Sequence, residues 1–102
     1  MSYNLLFTFN EKIDWTSLHQ KLSIQEIKYL EFIPIEKSVG LGENSSLAVS
    51  IPSKNVCPEM WKELSEVIHL LLNVKGTRGL DLISGKEIKI VDLNSLRQNI
   101  FL

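Results

Sequence analysis

With 102 residues, 11 Lys and Arg against 12 Asp and Glu, and a formal net charge of -1, the chain has the length of one domain spanning 1–102. That balance gives it no broad positive field with which to hold nucleic acid non-specifically. Its 44% hydrophobic and 23% charged residues are globular proportions, and a lone cysteine, Cys57, excludes an intramolecular disulfide and a multi-cysteine zinc site.

An unpaired thiol suits a reducing compartment, so the expected location is cytoplasmic. The first residues carry no basic stretch followed by an apolar core and a cleavage site, and strand-like sequence begins at Tyr3. The densest apolar run, Val67 to Val74, is interrupted by His69 and Asn73 and is too short to span a bilayer. No membrane association is expected.

Tyr3, Leu5, Phe7 and Phe9 alternate with Asn4, Thr8 and Asn10, the period of a strand with one buried face. Leu6 places an apolar residue on the second face, which points to an inner strand whose back is at least partly covered. Asp14 can cap a short helix carrying Trp15, Leu18 and Leu22 on one stripe. Ile27 to Ile35 is rich in β-branched and aromatic residues, but its alternation shifts at Phe32-Ile33 and Pro34 cannot donate to a ladder; an edge strand ending in a bulge or bend is predicted.

Gly40, Gly42, Asn44 and Ser45 make a connection to a third strand, where Leu47, Val49 and Ile51 alternate with Ala48 and Ser50 until Pro52. From Pro58 to Asn73 the residues Met60, Trp61, Leu64, Val67, Ile68, Leu71 and Leu72 share one helical stripe, with Pro58 at the first position. Trp61, Leu64, Ile68 and Leu71 are expected to pack on the sheet face carrying Phe7 and Phe9. The segment Lys75-Gly76-Thr77-Arg78-Gly79 ends the helix, its basic residues lying at the negative end of the dipole.

A hairpin follows. A three-residue loop Ser84-Gly85-Lys86 would pair Leu82 with Ile88 and Leu80 with Ile90 on one face, and set Asp81 opposite Lys89 on the other. Gly85 is not at the usual left-handed position of such a loop, so turns of two or four residues are the alternatives. Leu93, Leu96 and Ile100 define a short C-terminal helix. The predicted class is α+β, in the order β-α-β-β-α-β-β. Its first six elements have the ferredoxin-like order, an antiparallel sheet with helices on one face, followed here by the C-terminal hairpin and short helix.

Chemical motifs are sparse, and no cofactor or metal is expected. His19 and His69 form no metal-binding spacing, and His69 falls on the polar side of its helix. Cys57 lies near a helix start, where a thiolate is favoured, but no histidine adjoins it. Gly40-Leu41-Gly42 lacks the third glycine and following helix of a dinucleotide fingerprint, and Lys75–Gly79 follows a helix rather than preceding one. No G-x-S-x-G elbow occurs. An RNA-binding ferredoxin-like domain would stack bases on aromatics of its inner strands, yet the third strand, Ser46 to Ile51, carries none.

By elimination the sequence reads as a non-enzymatic protein-binding module. In size, near-neutral to acidic balance and lack of chemical motifs it resembles the small bacterial immunity proteins that neutralise polymorphic or contact-dependent toxins. That resemblance implies an intracellular inhibitor that binds a cognate toxin domain directly, and it carries over no particular residues. The alternatives are an RNA-binding domain and a small enzyme using Cys57 or His69. For a protein partner, the outer face of the long helix is the expected surface: Glu59, Glu63, Glu66 and Leu70 lie together about 100° to 160° from Leu64, away from His69. The exposed side of the sheet and the Gly40–Ser45 loop are the next candidates.

Overall fold

The computed structural model describes residues 2–9, 20, 27–35, 46–74 and 76–101. They form an α+β structure. Five strands, β1 (Ser2–Thr8), β2 (Glu31–Ile35), β3 (Ser46–Pro52), β4 (Arg78–Asp81) and β5 (Glu87–Ile88), make one sheet in the order β2-β3-β1-β4-β5 with antiparallel neighbours throughout. Two helices, α1 (Pro58–Leu72) and α2 (Leu93–Ile100), accompany it. Of the helix expected around Asp14 to Leu22, with His19, only Gln20 is described, and it is helical; the rest of that segment and the connection at residues 40–45 lie outside the described residues.

The alternation in β1 translates directly into burial. Leu5, Phe7 and Phe9 are fully or almost fully buried, and directly opposite on β3 stand Val49 and Leu47, with Ile51 opposite the half-buried Tyr3. Because paired residues on adjacent strands point the same way, these side chains form one apolar face. Leu6 lies on the other face, and β1 is the middle strand of the five.

α1 closes over the apolar face. Cys57, extended at φ -159°, is its N-cap and its Sγ accepts a bond from Met60 N at 3.4 Å; Pro58 follows, where a missing N–H is harmless. Met60, Leu64, Val67, Ile68 and Leu71 have no exposed surface and join the β1 and β3 side chains in one core. Trp61, expected to be buried with Leu64, Ile68 and Leu71 against this face, is only half-buried. The buried arc is centred between Met60 and Leu64, which leaves Trp61 and Leu72 on one flank. The α2 residues Leu96 and Ile100 are also buried in this core, with Leu93 partly covered beside them.

β2 is an edge strand, as Pro34 requires, but it starts only at Glu31 and keeps one register through Ile35 with no bulge. Its lead-in is held by side chains instead of a ladder. The amides of Lys28 and Tyr29 donate to the Glu63 carboxylate, and the Tyr29 carbonyl accepts from Asn55 Nδ2.

The hairpin register departs from the sequence expectation. Gly79 pairs with Ile88 and Leu80 with Glu87, rather than Leu82 with Ile88 and Leu80 with Ile90. Asp81 does not face Lys89 in solvent: it is 3% exposed, opposite Leu5 on the core side of the sheet. Its Oδ1 accepts from the amides of Ile83 and Ser84, and its Oδ2 from Tyr3 Oη, so burial is matched by three hydrogen bonds. This fixes a four-residue loop, 82–85, closed by Asp81 N to Lys86 O and Gly85 N to Asp81 O. Gly85 then occupies the left-handed region at φ 76°. Gly79 is constrained by space, since a Cβ there would lie 2.9 Å from the ring of buried Phe7.

Candidate functional site

The four acidic and apolar residues expected to meet a partner have different environments. Glu59 and Glu66 are exposed on α1, whereas Leu70 is half-buried and packed against the core. Glu63 is committed within the chain. Its Oε1 accepts from Lys28 N at 2.6 Å and its Oε2 from Tyr29 N at 2.8 Å, a two-point clamp on the segment entering β2. On the helical wheel Glu63 and Leu70 border the buried arc while Glu59 and Glu66 lie farther round, which explains the division. Solvent on this face therefore meets two carboxylates, with Leu70 partly covered.

The clamp has a direct consequence. Glu63→Ala leaves two backbone amides without their charged acceptor, so hydrogen exchange at Lys28 and Tyr29 should accelerate well beyond exchange at the core amides of β1. Unchanged protection at both positions would show that these amides do not depend on Glu63.

The reactive side chains are likewise engaged in structure. Cys57 caps α1 through its Sγ and packs partly against the core. His69 is exposed, and its Nδ1 lies 2.8 Å from the Ser65 carbonyl one turn earlier. Burial alone would push the Asp81 carboxyl up, but the bonds from Tyr3, Ser84 and Ile83 outweigh it and hold the group below 3.8. Tyr3 moves the opposite way, raised by burial first and then by the bond to and charge of Asp81. Among the described residues no group of three His, Cys, Asp or Glu is placed to hold a metal ion. A cavity of about 200 Å³ between the hairpin and α2 is lined by Lys86, Lys89, Asp92, Ser95 and Asn99, among others, and mixes both signs of charge.

The face of the sheet away from the core is more distinctive. Across the strands, Ile33, Ala48, Leu6 and Leu80 stand in one row of direct cross-strand partners. Ile33 is 52% exposed and Leu80 37%. Glu31, Ser50 and Asn4 border this row on one side, and Ser46, Thr8 and Arg78 on the other. The aromatic residues of β1 and β2 (Tyr3, Phe7 and Phe32) pair with core-facing β3 residues, so the described strands offer no ring on the open face for a base to stack on. The alternation along the chain set Leu6 and Ala48 off the core face, and the exposed side of the sheet was a further candidate surface; the register across four strands was needed to assemble the row.

Further apolar side chains are uncovered at the hairpin and beyond it, among them Ile83 at 62% and Val91 at 87%. No helix among the described residues is long and apolar enough to cross a membrane. The chain matches no family model, no curated protein and no solved structure.

Proposed function

We propose that the chain is a small protein-binding module that acts by occupying a surface of a cognate protein, and that it serves as a cytoplasmic toxin inhibitor of the immunity-protein kind. The observation that carries this reading is the contrast between its reactive and its apolar side chains. Asp81, Tyr3, Glu63 and Cys57 are tied up in hydrogen bonds that maintain the fold, while Leu82, Ile83 and Val91 face solvent. Uncovered bulky apolar groups bordered by polar residues are the kind of surface used for macromolecular contact.

The scaffold proposed for this role is ferredoxin-like. β1 and β2 run parallel with antiparallel β3 between them, and β3 and β4 run parallel with β1 between them, as a doubled split βαβ arrangement demands. α1 makes the second crossover on the core side, and a helix between β1 and β2 would make the first.

Exposed Glu59 and Glu66 on α1 would steer a basic partner, with Leu70 at the margin of the contact and Glu63 holding the adjoining segment in place. A nucleic-acid-cleaving toxin, whose active surface must be positive, fits that charge. The test pairs the purified chain with the product of the neighbouring reading frame and measures association, dissociation and rescue of growth. Specific binding with rescue is expected, and Glu59→Lys/Glu66→Lys should slow association about tenfold at low salt while leaving dissociation nearly unchanged. Absence of both binding and rescue would overturn the inhibitor reading for that pair, and unchanged association in the charge-reversed variant would remove α1 as the steering surface.

A further inference from the structure

We propose that the open face of the sheet binds a second copy of this chain, forming a two-fold face-to-face dimer in which the strands of the two sheets cross at a steep angle. This goes beyond partner recognition by α1, because α1 packs on the opposite side of the sheet and its outer residues Glu59 and Glu66 would remain turned outward in the dimer.

The argument begins with the pattern of the face. Its centre is the apolar row Ile33, Ala48, Leu6 and Leu80, running across β2, β3, β1 and β4. Its charges lie at opposite corners. Glu31 stands on β2, one step to one side of the row, and Arg78 on β4, one step to the other side; both are exposed, and neither has an ion-pair partner among the described residues. Three strand spacings separate them across the sheet, about 14 Å, and four residues along it, about 13 Å, so the line joining them is close to a diagonal.

A two-fold axis lying in the interface, perpendicular to that diagonal, exchanges the two corners. Glu31 of each copy then faces Arg78 of the other, and symmetry makes the pair occur twice. The same axis passes between Ala48 and Leu6, bringing the middle of the apolar row against its counterpart. Rotation about a diagonal turns the strand direction by roughly a right angle, the orthogonal class of sheet packing. The net charge of only -1 adds little repulsion between two copies. A sheet face of this extent offers on the order of 400–500 Å² per copy, below the roughly 800 Å² of a standard stable interface, so the dimer should be reversible and dissociate on dilution.

Sedimentation of the full chain across a concentration series tests this. The expected result is a shift from 11.7 kDa toward twice that mass as concentration rises. Ile33→Lys and Leu80→Lys, at exposed positions, should each weaken dimerisation about tenfold or more, with circular dichroism confirming the fold. Arg78→Glu and Glu31→Arg should each weaken it as well, and the double exchange Glu31→Arg/Arg78→Glu should restore it, because the pair is then reversed in both copies. A monomer at every concentration up to about 1 mM would overturn the proposal, placing the dimer free energy below that of a weak complex. A dimer unaffected by the apolar-row substitutions, or a double exchange that fails to rescue the single ones, would also overturn it. Partner binding by the monomeric variants would leave the inhibitor reading standing without the dimer.

Discussion

Leu64→Ala should lower the unfolding free energy by about 2–5 kcal/mol, measured by urea denaturation at neutral pH. Leu64 lies at the middle of the buried arc of α1, has no exposed surface, and shares a core with Leu5, Phe7 and Phe9 from β1 and Leu47, Val49 and Ile51 from β3. Truncation would remove methyl groups from a site surrounded on both layers, where little collapse is available. Such a loss is a large part of the roughly 5–15 kcal/mol that holds an ordinary domain together. Leu70→Ala, at the half-buried flank of the same helix, should cost distinctly less. Equal costs at the two positions, or a loss at Leu64 below about 1 kcal/mol, would mean that the helix is not packed through this arc.

Asp81→Ala should destabilise the hairpin end of the sheet, by about 1–3 kcal/mol for each polar group left buried without a partner. The carboxylate receives the amides of Ile83 and Ser84 and the hydroxyl of Tyr3, so one side chain supports both the turn and its attachment to β1. Tyr3→Phe removes only the attachment and should cost about 1.5–3 kcal/mol, as expected for a hydrogen bond to a charged acceptor. The pH dependence has a defined sign. Asp81 titrates below 3.8 in the folded chain, so its contribution is present in full above that value and is lost as pH falls through the folded pKa. Tyr3 is raised above its ordinary 10.0, so the neutral hydroxyl contributes fully below that value and its contribution is lost as pH rises toward the folded pKa. Stability measured from pH 2 to 7 should therefore fall less steeply on acidification in Asp81→Asn than in the wild type. Parallel curves would show that Asp81 is not a source of the acid sensitivity.

Both sets of effects originate in parts of the chain that differed in how legible they were. The core of α1 could be read from spacing because helical period and burial are local properties, and Leu64, Ile68 and Leu71 are buried as that period demanded. Its precise rotation could not, since Trp61 and Met60 both satisfy the stripe and only the shape of the opposing sheet favours Met60. The acidic face was legible as a set of positions on a wheel. Its chemistry was not, because the partner of Glu63 is a pair of amides in a segment 34 and 35 residues earlier.

The α+β class, the inner position of β1, the edge position of β2 and the limits of α1 were legible in the residues alone. Each follows from a periodicity, a proline or a cap acting over a few residues. The hairpin register is set by long-range contacts, against local apolar matching and charge matching, which both favoured Asp81 opposite Lys89. What overrode them was Tyr3, 78 residues away, whose hydroxyl draws Asp81 into the sheet, together with the Asn4 carbonyl that accepts the amide of Leu82. The same long-range register aligned Ile33, Ala48, Leu6 and Leu80 into one row. Those four residues are scattered over the chain, and only the pairing of antiparallel strands brings them onto a common face.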